Sequence, residues 1–295
     1  MSPTEREPWT VQSLLKWAAD DFKSKGIDSP RLDAEVLLGW ALGKTRIELV
    51  IESKLELEGT DLAKFRDAVK RRRTHEPVAY LLGNREFFGR NFKVDRRVLV
   101  PRPDTEALVE VALERSRHVS MSMRALDLCT GSGCVGITLA RERPTSQVVL
   151  TDLSADALTV ARENALRLGA YNLACFQGDL FAALPASANA KMRFDIVVSN
   201  PPYIATAEIA TLMPDVRDFE PKLALDGGAD GLDLVRRIVS DAAKHLEKNG
   251  IVALEIGYDE AERTRGIFTE HGYADIETRR DYGKIERVIS ARWPG

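Results

Sequence analysis

Four consecutive residues, Asn200, Pro201, Pro202 and Tyr203, follow an apolar run typical of a buried strand. The two prolines fix the backbone and lack N–H donors, so the neighbouring carbonyls stay free to accept hydrogen bonds. If the Asn200 side-chain oxygen and the Pro201 carbonyl accept both N–H bonds of a planar amide or amino nitrogen, they hold it for attack while positive charge develops. Tyr203 can stack on the flat group. The four residues predict a substrate clamp; the alternative is a tight turn after a strand.

A glycine-rich loop over residues 129–136 separates a predicted strand, which ends at Leu128, from a predicted helix. Glycines there let the backbone approach a ligand at the carboxyl ends of the strands, where open α/β sheets bind ligands. The spacing Gly131-x-Gly133-x-x-Gly136 also matches a dinucleotide fingerprint, so the loop alone leaves the cofactor open.

Three carboxylates around this loop favour S-adenosylmethionine over a nicotinamide cofactor. Asp127 ends the first strand and can contact a cationic amino-acid moiety, whereas it would repel a pyrophosphate. Asp152 ends the second strand and can accept both ribose hydroxyls in either cofactor class. Asp179 follows the third strand, where it can meet an adenine amino group. We therefore predict methyl transfer from S-adenosylmethionine to a planar nitrogen.

The elements that must position these residues fall into three predicted regions. Residues 1–83 are predicted to form a small helical bundle, 84–100 a β-hairpin connector, and 101–295 an α/β methyltransferase domain. Strands joined by crossover helices predict a Rossmann-like, mostly parallel sheet, and the tail predicts an antiparallel hairpin that turns at residues 281–284. Within the bundle, helix starts are predicted at Thr10, at Ser29-Pro30 and at Thr45 with Glu48, and a stop at Gly43.

Composition excludes several classes of protein and partner. The 42 basic and 45 acidic residues give a formal charge of -3, so no global positive field attracts nucleic acid. The basic run at residues 70–73 is either a solvated helix end or a contact for RNA or an acidic partner.

Cys129, Cys134 and Cys175 lack metal-ligand spacing and the four histidines are scattered, so we expect no metal. Because no apolar run reaches about 18 residues, we expect no membrane span and a cytoplasmic protein.

With these residues described, the sequence resembles the HemK/PrmC family of peptide chain release factor N(5)-glutamine methyltransferases over nearly its whole length. The resemblance rests on six segments: Arg31–Glu35, Glu76–Tyr80, Val100–Glu106, Asn200–Tyr203, Glu220–Pro221 and Asp230–Asp233. Cys129 departs from the family pattern, because it replaces the first glycine of the loop.

The resemblance implies methylation of the glutamine in the Gly-Gly-Gln loop of class I release factors, which tunes translation termination, with residues 1–83 docking that partner. It implies that Asn200 and Pro201 hold the glutamine amide and that Pro202 and Tyr203 shape its pocket. The predicted cofactor residues are Asp127, Cys129, Thr130, Gly131, Ser132, Gly133, Asp152, Asp179, Leu180 and Asn200.

Two groups of alternatives remain open. An amino methyltransferase could act on DNA adenine, on ribosomal RNA or on a ribosomal-protein glutamine, since an exocyclic base nitrogen is planar like an amide. The neutral helical region argues against a nucleic-acid substrate, which requires a basic surface. A nicotinamide-dependent oxidoreductase, or a cofactor-binding module without turnover, is disfavoured by Asp127 and the intact clamp.

Overall fold

The computed structural model describes residues 8–119, 122–185, 192–281 and 283–295. Residues 1–7 of the predicted helical region and Tyr282 of the predicted C-terminal turn lie outside this description. The chain divides into two compact units, one of residues 1–83 with 214–219, the other of 84–213 with 220–295. That the six residues 214–219 belong with the helical unit was not predicted from the sequence.

The first unit is helical. Its helices are α1 (Val11–Ser24), α2 (Pro30–Leu42), α3 (Arg46–Ile51), α4 (Gly59–Arg72), α5 (Val78–Leu82) and, from the later segment, α9 (Pro214–Arg217). Thr10 and Thr45 each form a capping box, α2 begins with Pro30, and Gly43 ends it at φ 67°. The short α5 was not predicted; Pro77 precedes it, and Gly83 ends it at φ 73°.

The basic run of residues 70–73 lies at the end of α4, and its three arginines are ion-paired within the first unit. The pairs are Arg71–Glu76 at 2.7 Å, Arg72–Asp33 at 2.8 Å and Arg73–Asp21 at 2.9 Å. The Arg72 side chain is almost completely buried. These contacts favour a helix end over a patch for RNA, but the prediction that this end is solvated is wrong for Arg72, which is buried.

A β-hairpin begins the second unit. Strands β1 (Asn84–Phe87) and β2 (Arg90–Lys93) are antiparallel and are joined by a two-residue turn. Phe88 and Gly89 in that turn have φ of 50° and 68°, as turns that match the twist of paired strands require. The hairpin is shorter than the predicted β region, because residues 94–100 form no strand.

A mixed sheet forms the centre of the second unit, and it confirms the predicted fold class. The strands are β3 (Arg124–Leu128), β4 (Gln147–Asp152), β5 (Leu173–Gln177), β6 (Phe194–Ser199), β7 (Leu246–Glu255), β8 (Ala274–Arg280) and β9 (Glu286–Arg292). Their order is β5-β4-β3-β6-β7-β9-β8. Strands β3 to β7 pair in parallel, and β9 is antiparallel to both β7 and β8.

Helices cover both faces of this sheet. They are α6 (Glu106–Arg115), α7 (Cys134–Glu142), α8 (Ala155–Arg167), α10 (Asp233–Ala242) and α11 (Ala261–Glu270). Residues of α6, α7 and α8 share one apolar core, whereas those of α10 and α11 share the other. Sequence analysis missed α11, whose buried face carries Ala261 and Thr264 beside Ile267 and Phe268 and so gives a weak apolar pattern. Among the described residues, no helix is both long and apolar enough to cross a bilayer.

Candidate active site

The candidate site is a cavity of about 380 Å³ at the carboxyl ends of the parallel strands of the second unit. Its volume lies within the usual range for small-molecule sites, about 300–1,000 Å³. The cavity lies where the chain order reverses, because β3 is followed by β4 and β5 on one side and has β6 on the other. Leu128 pairs with Ser199 in the last register position, and the Ser199 hydroxyl donates to the Leu128 carbonyl at 2.8 Å. The glycine-rich loop and Asn200 therefore leave the sheet side by side.

Asp127 organises the glycine-rich loop. Its Oδ2 accepts hydrogen bonds from the Thr130 hydroxyl at 2.6 Å and from the Gly136 N–H at 2.9 Å. The carboxyl group is buried and also lines the cavity. Burial raises its pKa to about 7, against the lowering effect of these two hydrogen bonds. One oxygen of Asp127 is thus engaged by the loop itself, which the sequence prediction did not foresee.

Asp152 lies at the end of β4 and faces the same cavity. Its Oδ2 accepts from the Gly131 N–H at 2.8 Å and its Oδ1 from the Ser154 N–H at 2.9 Å. Burial raises its pKa, and these backbone hydrogen bonds lower it. Each carboxylate oxygen retains acceptor capacity, so both can still accept from vicinal hydroxyl groups.

Asp179 and Leu180 follow β5 at the far side of the cavity. The exposed Asp179 carboxylate accepts from Arg237 at 2.6 Å, a partner that the sequence did not suggest. Leu180 is buried and has φ 48°, a conformation that non-glycine residues seldom adopt. The left-handed backbone at Leu180 is a strained conformation of the kind that clusters at ligand-binding sites.

Cys129, the residue that replaces the family glycine, also has a left-handed backbone, with φ 57°. The position therefore requires the conformation that glycine adopts most readily. Burial, with Asp152 nearby, raises the pKa of the Cys129 thiol to about 12. The thiol stays protonated at neutral pH and is a poor nucleophile, so its part in the site is steric.

Asn200 is the first residue after β6, and a hydrogen bond fixes its side-chain amide. Its Nδ2 donates to the Thr105 hydroxyl at 3.2 Å. In this orientation the Oδ1 atom accepts no hydrogen bond among the described residues, and Asn200 lines the cavity. The amide thus presents an acceptor to a ligand.

The glycine-rich segment 225–231 packs against the backbone of residues 200–203 and forms hydrogen bonds with the next residue, Ile204. The Ile204 N–H donates to the Leu225 carbonyl at 3.0 Å, and the Gly227 N–H donates to the Ile204 carbonyl at 2.8 Å. A Cβ atom at Gly231 would lie 2.4 Å from the Tyr203 carbonyl oxygen. Only glycine allows this approach, which keeps the clamp rigid.

Most predicted site residues meet in this one cavity, but three do not reach its wall. Pro201, Tyr203 and Gly133 are absent from its lining. The Tyr203 hydroxyl donates to the buried Glu255 at 3.2 Å. Gly133 begins α7 at φ 82°, and a Cβ there would lie 2.5 Å from Ile137. Its position indicates a role in packing the loop against the helix.

Two clamp contacts, Thr105 and Glu255, and the nearby pair Arg102–Glu220 were not predicted from the sequence. Thr105 ends a 3-10 turn over Pro103–Thr105 and is buried. Arg102 lines the cavity and pairs with the buried Glu220 at 2.7 Å. The signal available was the Pro-Arg-Pro segment and the Glu255-Ile256-Gly257 triplet, both visible in the sequence but assigned no role.

The chemistry of the cavity fits S-adenosylmethionine. The glycine-rich loop is flanked by the carboxylates Asp127, Asp152 and Asp179, which suit a cationic ligand and oppose a pyrophosphate. A Cβ at Gly131 would meet no atom within 4 Å, so the loop is open towards a ligand. Arg97 also lines the cavity, but it is paired with Asp95 at 2.6 Å.

Comparison with known families finds two matches. Residues 13–83 match the family described as the PrmC N-terminal domain, and residues 103–214 match the methyltransferase small domain.

Two relatives that align over nearly the whole chain carry the same name. The chain is 42% identical over 286 residues to the release factor glutamine methyltransferase of Geobacter sulfurreducens. This alignment covers 97% of this chain and 98% of the relative. It is 41% identical over 284 residues to the Vibrio cholerae protein of the same name, covering 96% and 97%. A solved methyltransferase structure from Pyrococcus furiosus matches with a TM-score of 0.51 at 18% identity, over 71% of this chain and 91% of the other. That structure shares the fold.

Proposed function

Because the chain belongs to the release factor glutamine methyltransferase family, we propose that it methylates the glutamine of the Gly-Gly-Gln loop in class I peptide chain release factors. The methyl group goes from the sulfonium of S-adenosylmethionine to the side-chain amide nitrogen as the sulfur–methyl bond breaks; S-adenosylhomocysteine leaves, and the nitrogen loses one proton to solvent. The methylated product tunes translation termination. The observation that supports this most directly is the position of Asn200, which lines the cavity and whose Nδ2 donates to the Thr105 hydroxyl, so that Oδ1 keeps its acceptor capacity.

The clamp compensates for the weak nucleophilicity of an amide nitrogen. Asn200 Oδ1 and the Pro201 carbonyl accept the two N–H bonds of the substrate amide and hold its nitrogen in line for displacement. Both acceptors are strengthened as positive charge develops on that nitrogen, so they stabilise the transition state more than the ground state. Pro202 lines the cavity and would contact the glutamine side chain, whereas Tyr203 lies behind the cavity wall and donates to Glu255.

S-adenosylmethionine, when bound, supplies an electrophilic methyl group on a sulfonium centre. Asp152 would accept hydrogen bonds from its ribose hydroxyls, and Asp127 with Thr130, Gly131 and Ser132 would hold its amino-acid end. Leu180 and Asp179 would border its adenine. Methyl transfer requires no proton transfer to or from these residues, so they would act by binding and orienting the cofactor.

The test is transfer of labelled methyl from S-adenosylmethionine to a folded class I release factor. The matched control is the same factor with its Gly-Gly-Gln changed to Gly-Gly-Ala. Duplex DNA, ribosomal RNA and ribosomal proteins are assayed in parallel. Label on the unaltered factor alone supports the proposal; label on a nucleic acid or a ribosomal protein, with none on the factor, would replace the substrate while keeping the clamp.

A further inference from the structure

Arg102 is a charged residue of the cavity wall that has no part in the reaction as described above. It lies in the Pro-Arg-Pro segment, and its Nη2 donates to the Glu220 carboxylate at 2.7 Å. Glu220 begins the Glu-Pro pair at residues 220–221. Two of the segments that carry the family resemblance therefore meet in one ion pair at the cavity.

The ion pair holds the guanidinium group in one position. The Glu220 side chain is 1% exposed, whereas that of Arg102 is 35% exposed. A buried carboxylate thus anchors an arginine that is still accessible from the cavity. Pro101 and Pro103 flank Arg102 and restrict its backbone, which is extended. An arginine held in this way loses little further freedom when it binds a ligand.

Arg102 also keeps hydrogen-bond donors for a ligand. A guanidinium group carries five N–H bonds in one plane. Among the described residues, the Arg102 side chain donates only to Glu220 and only through Nη2. The Nε and Nη1 donors therefore remain available, and the group of ligands that a guanidinium binds best is carboxylates and phosphates.

The position of Arg102 is at the clamp side of the cavity. The Thr105 N–H donates to the Arg102 carbonyl at 3.1 Å, and this turn brings the Thr105 hydroxyl to Asn200 Nδ2. Asn200 follows β6, and β6 lies next to β3, which carries Asp127. Strands β4 and β5, whose carboxylates are assigned to the ribose and the adenine, lie on the other side of β3. Arg102 is thus at the end of the cavity assigned to the amino-acid part of the cofactor.

The charge of that part of the cofactor calls for a cation beside Asp127. The amino-acid end of S-adenosylmethionine carries an ammonium group and a carboxylate. Asp127 suits the ammonium group but repels the carboxylate. An anion in a cavity with acidic walls needs an opposite charge with hydrogen-bond donors.

Arg97 is less suited to that task, although it also lines the cavity. Its Nε and Nη2 donate to the two carboxylate oxygens of Asp95 at 2.8 and 2.6 Å. One complete edge of the Arg97 guanidinium is therefore occupied by Asp95. Arg102 gives up only one of its nitrogens to Glu220.

We propose that Arg102, held by Glu220, binds the α-carboxylate of S-adenosylmethionine while Asp127 takes its ammonium group. The two charges of the amino-acid end then each meet an opposite charge, which makes the site selective for a nucleoside that carries a complete amino acid. The inference rests on the proposed function for its cofactor alone, because it is independent of which nitrogen receives the methyl group.

The test compares three ligands in Arg102→Met and the wild type by titration calorimetry, without a methyl acceptor. The ligands are S-adenosylhomocysteine, its decarboxylated amine and 5′-methylthioadenosine, which lacks the amino acid. We expect Arg102→Met to weaken S-adenosylhomocysteine by about 10–100-fold, as loss of a hydrogen bond between charged groups does. The amine should bind no more weakly than to the wild type, and 5′-methylthioadenosine should stay within about twofold. Arg102→Lys keeps the charge without the planar group and should give an intermediate loss.

Two further variants separate binding from folding. Arg102→Met leaves the buried Glu220 without its arginine, so the double variant with Glu220→Gln removes that charge as well. It should show the same selective loss of S-adenosylhomocysteine affinity. Arg97→Met is the matched control, since it removes an arginine of the same cavity wall, and all three affinities should stay within about twofold.

Three results would overturn the inference. They are unchanged S-adenosylhomocysteine affinity in Arg102→Met, equal weakening of all three ligands in both Arg102 variants without the charge, and an equal selective loss in Arg97→Met. The proposed function is judged separately. If the wild type methylates no release factor but the selective loss is found, the proposed function fails and the inference stands. If the factor is methylated and the loss is absent, only the inference fails.

Discussion

At the scale of single residues, the proposed clamp depends on an amide, Asn200, that has no charge to titrate. Asn200 depends on being held in one orientation. Thr105 accepts a hydrogen bond from the Nδ2 end of its amide, and Pro201 and Pro202 restrict the backbone that follows it. A side chain of this kind contributes to the transition state and little to cofactor affinity.

Asn200→Ala is therefore expected to lower kcat by at least about 100-fold, as loss of one oriented polar group does. Affinity for S-adenosylhomocysteine, measured by titration calorimetry, should change by less than about twofold. Asp152→Ala is the counterpart, and should weaken that affinity while kcat at saturation changes less. Equal loss of both quantities in a folded Asn200→Ala protein would contradict the clamp.

Cys129 allows a sharper test of backbone conformation. Because φ is 57° there, Cys129→Gly should be tolerated, whereas Cys129→Val should be less stable than Cys129→Gly by about 1–2 kcal/mol. Urea unfolding of the two variants measures the difference. Equal stabilities would show that the loop relaxes out of the left-handed conformation.

The residue types in the sequence predicted much of the site, and the remaining residues were missed for a physical reason. Asn200, Asp127 and Asp152 stand beside strands in the sequence, so local pattern was enough to place them at the cavity. Thr105 and Glu255 lie 95 and 55 positions from Asn200, and neither is unusual in its own neighbourhood. The position of Glu255 follows from the register of β7 on β6 and that of Thr105 from the turn before α6, and no local pattern specifies either.

At the scale of elements, helix α7 must pack close to β4 for the loop between β3 and α7 to keep its shape. Gly136 is the point of contact: a Cβ there would lie 2.1 Å from the Leu150 side chain and 2.9 Å from Asp127 Oδ2. The glycine that resembles the third of a dinucleotide fingerprint serves helix packing here.

Gly136→Ala is expected to destabilise the protein by about 2 kcal/mol through overpacking and to weaken cofactor affinity through Asp127. Gly266→Ala is its control, because Gly266 is also helical but a Cβ there meets nothing within 4 Å. That variant should gain up to about 1 kcal/mol from helix propensity. Thermal unfolding compares the two, and similar shifts in both would refute the packing argument.

Elements with a strong apolar pattern were predicted with the correct bounds, and elements with a weak pattern were missed. Strands β5 and β6 have the predicted bounds, since both are short apolar runs between turn residues. Helix α5 has only five residues, too few to display a period, and was missed.

At the scale of the whole molecule, buried carboxyl groups make stability depend on pH. Glu255 has a pKa of about 7 in the folded protein, against a usual value of 4.5. Between these values the unfolded chain ionises and the folded protein does not, so Glu255 stabilises the fold less as pH rises through this window.

Glu255→Gln should therefore gain stability relative to the wild type as pH rises from about 4.5 to 7, reaching a relative gain of about 3 kcal/mol. The measurement is the difference in free energy of unfolding between the two proteins across that range. A difference that stays constant with pH would show that Glu255 has the same pKa in both states.

The assignment of residues 214–219 to the helical unit has a consequence for how such a protein can be rearranged by recombination. A single exchange of gene segments near codon 83 transfers the helical unit without its last six residues, which remain encoded far downstream within the methyltransferase sequence. A relative with a different helical region can therefore arise in one step only if its new region accepts the old six residues.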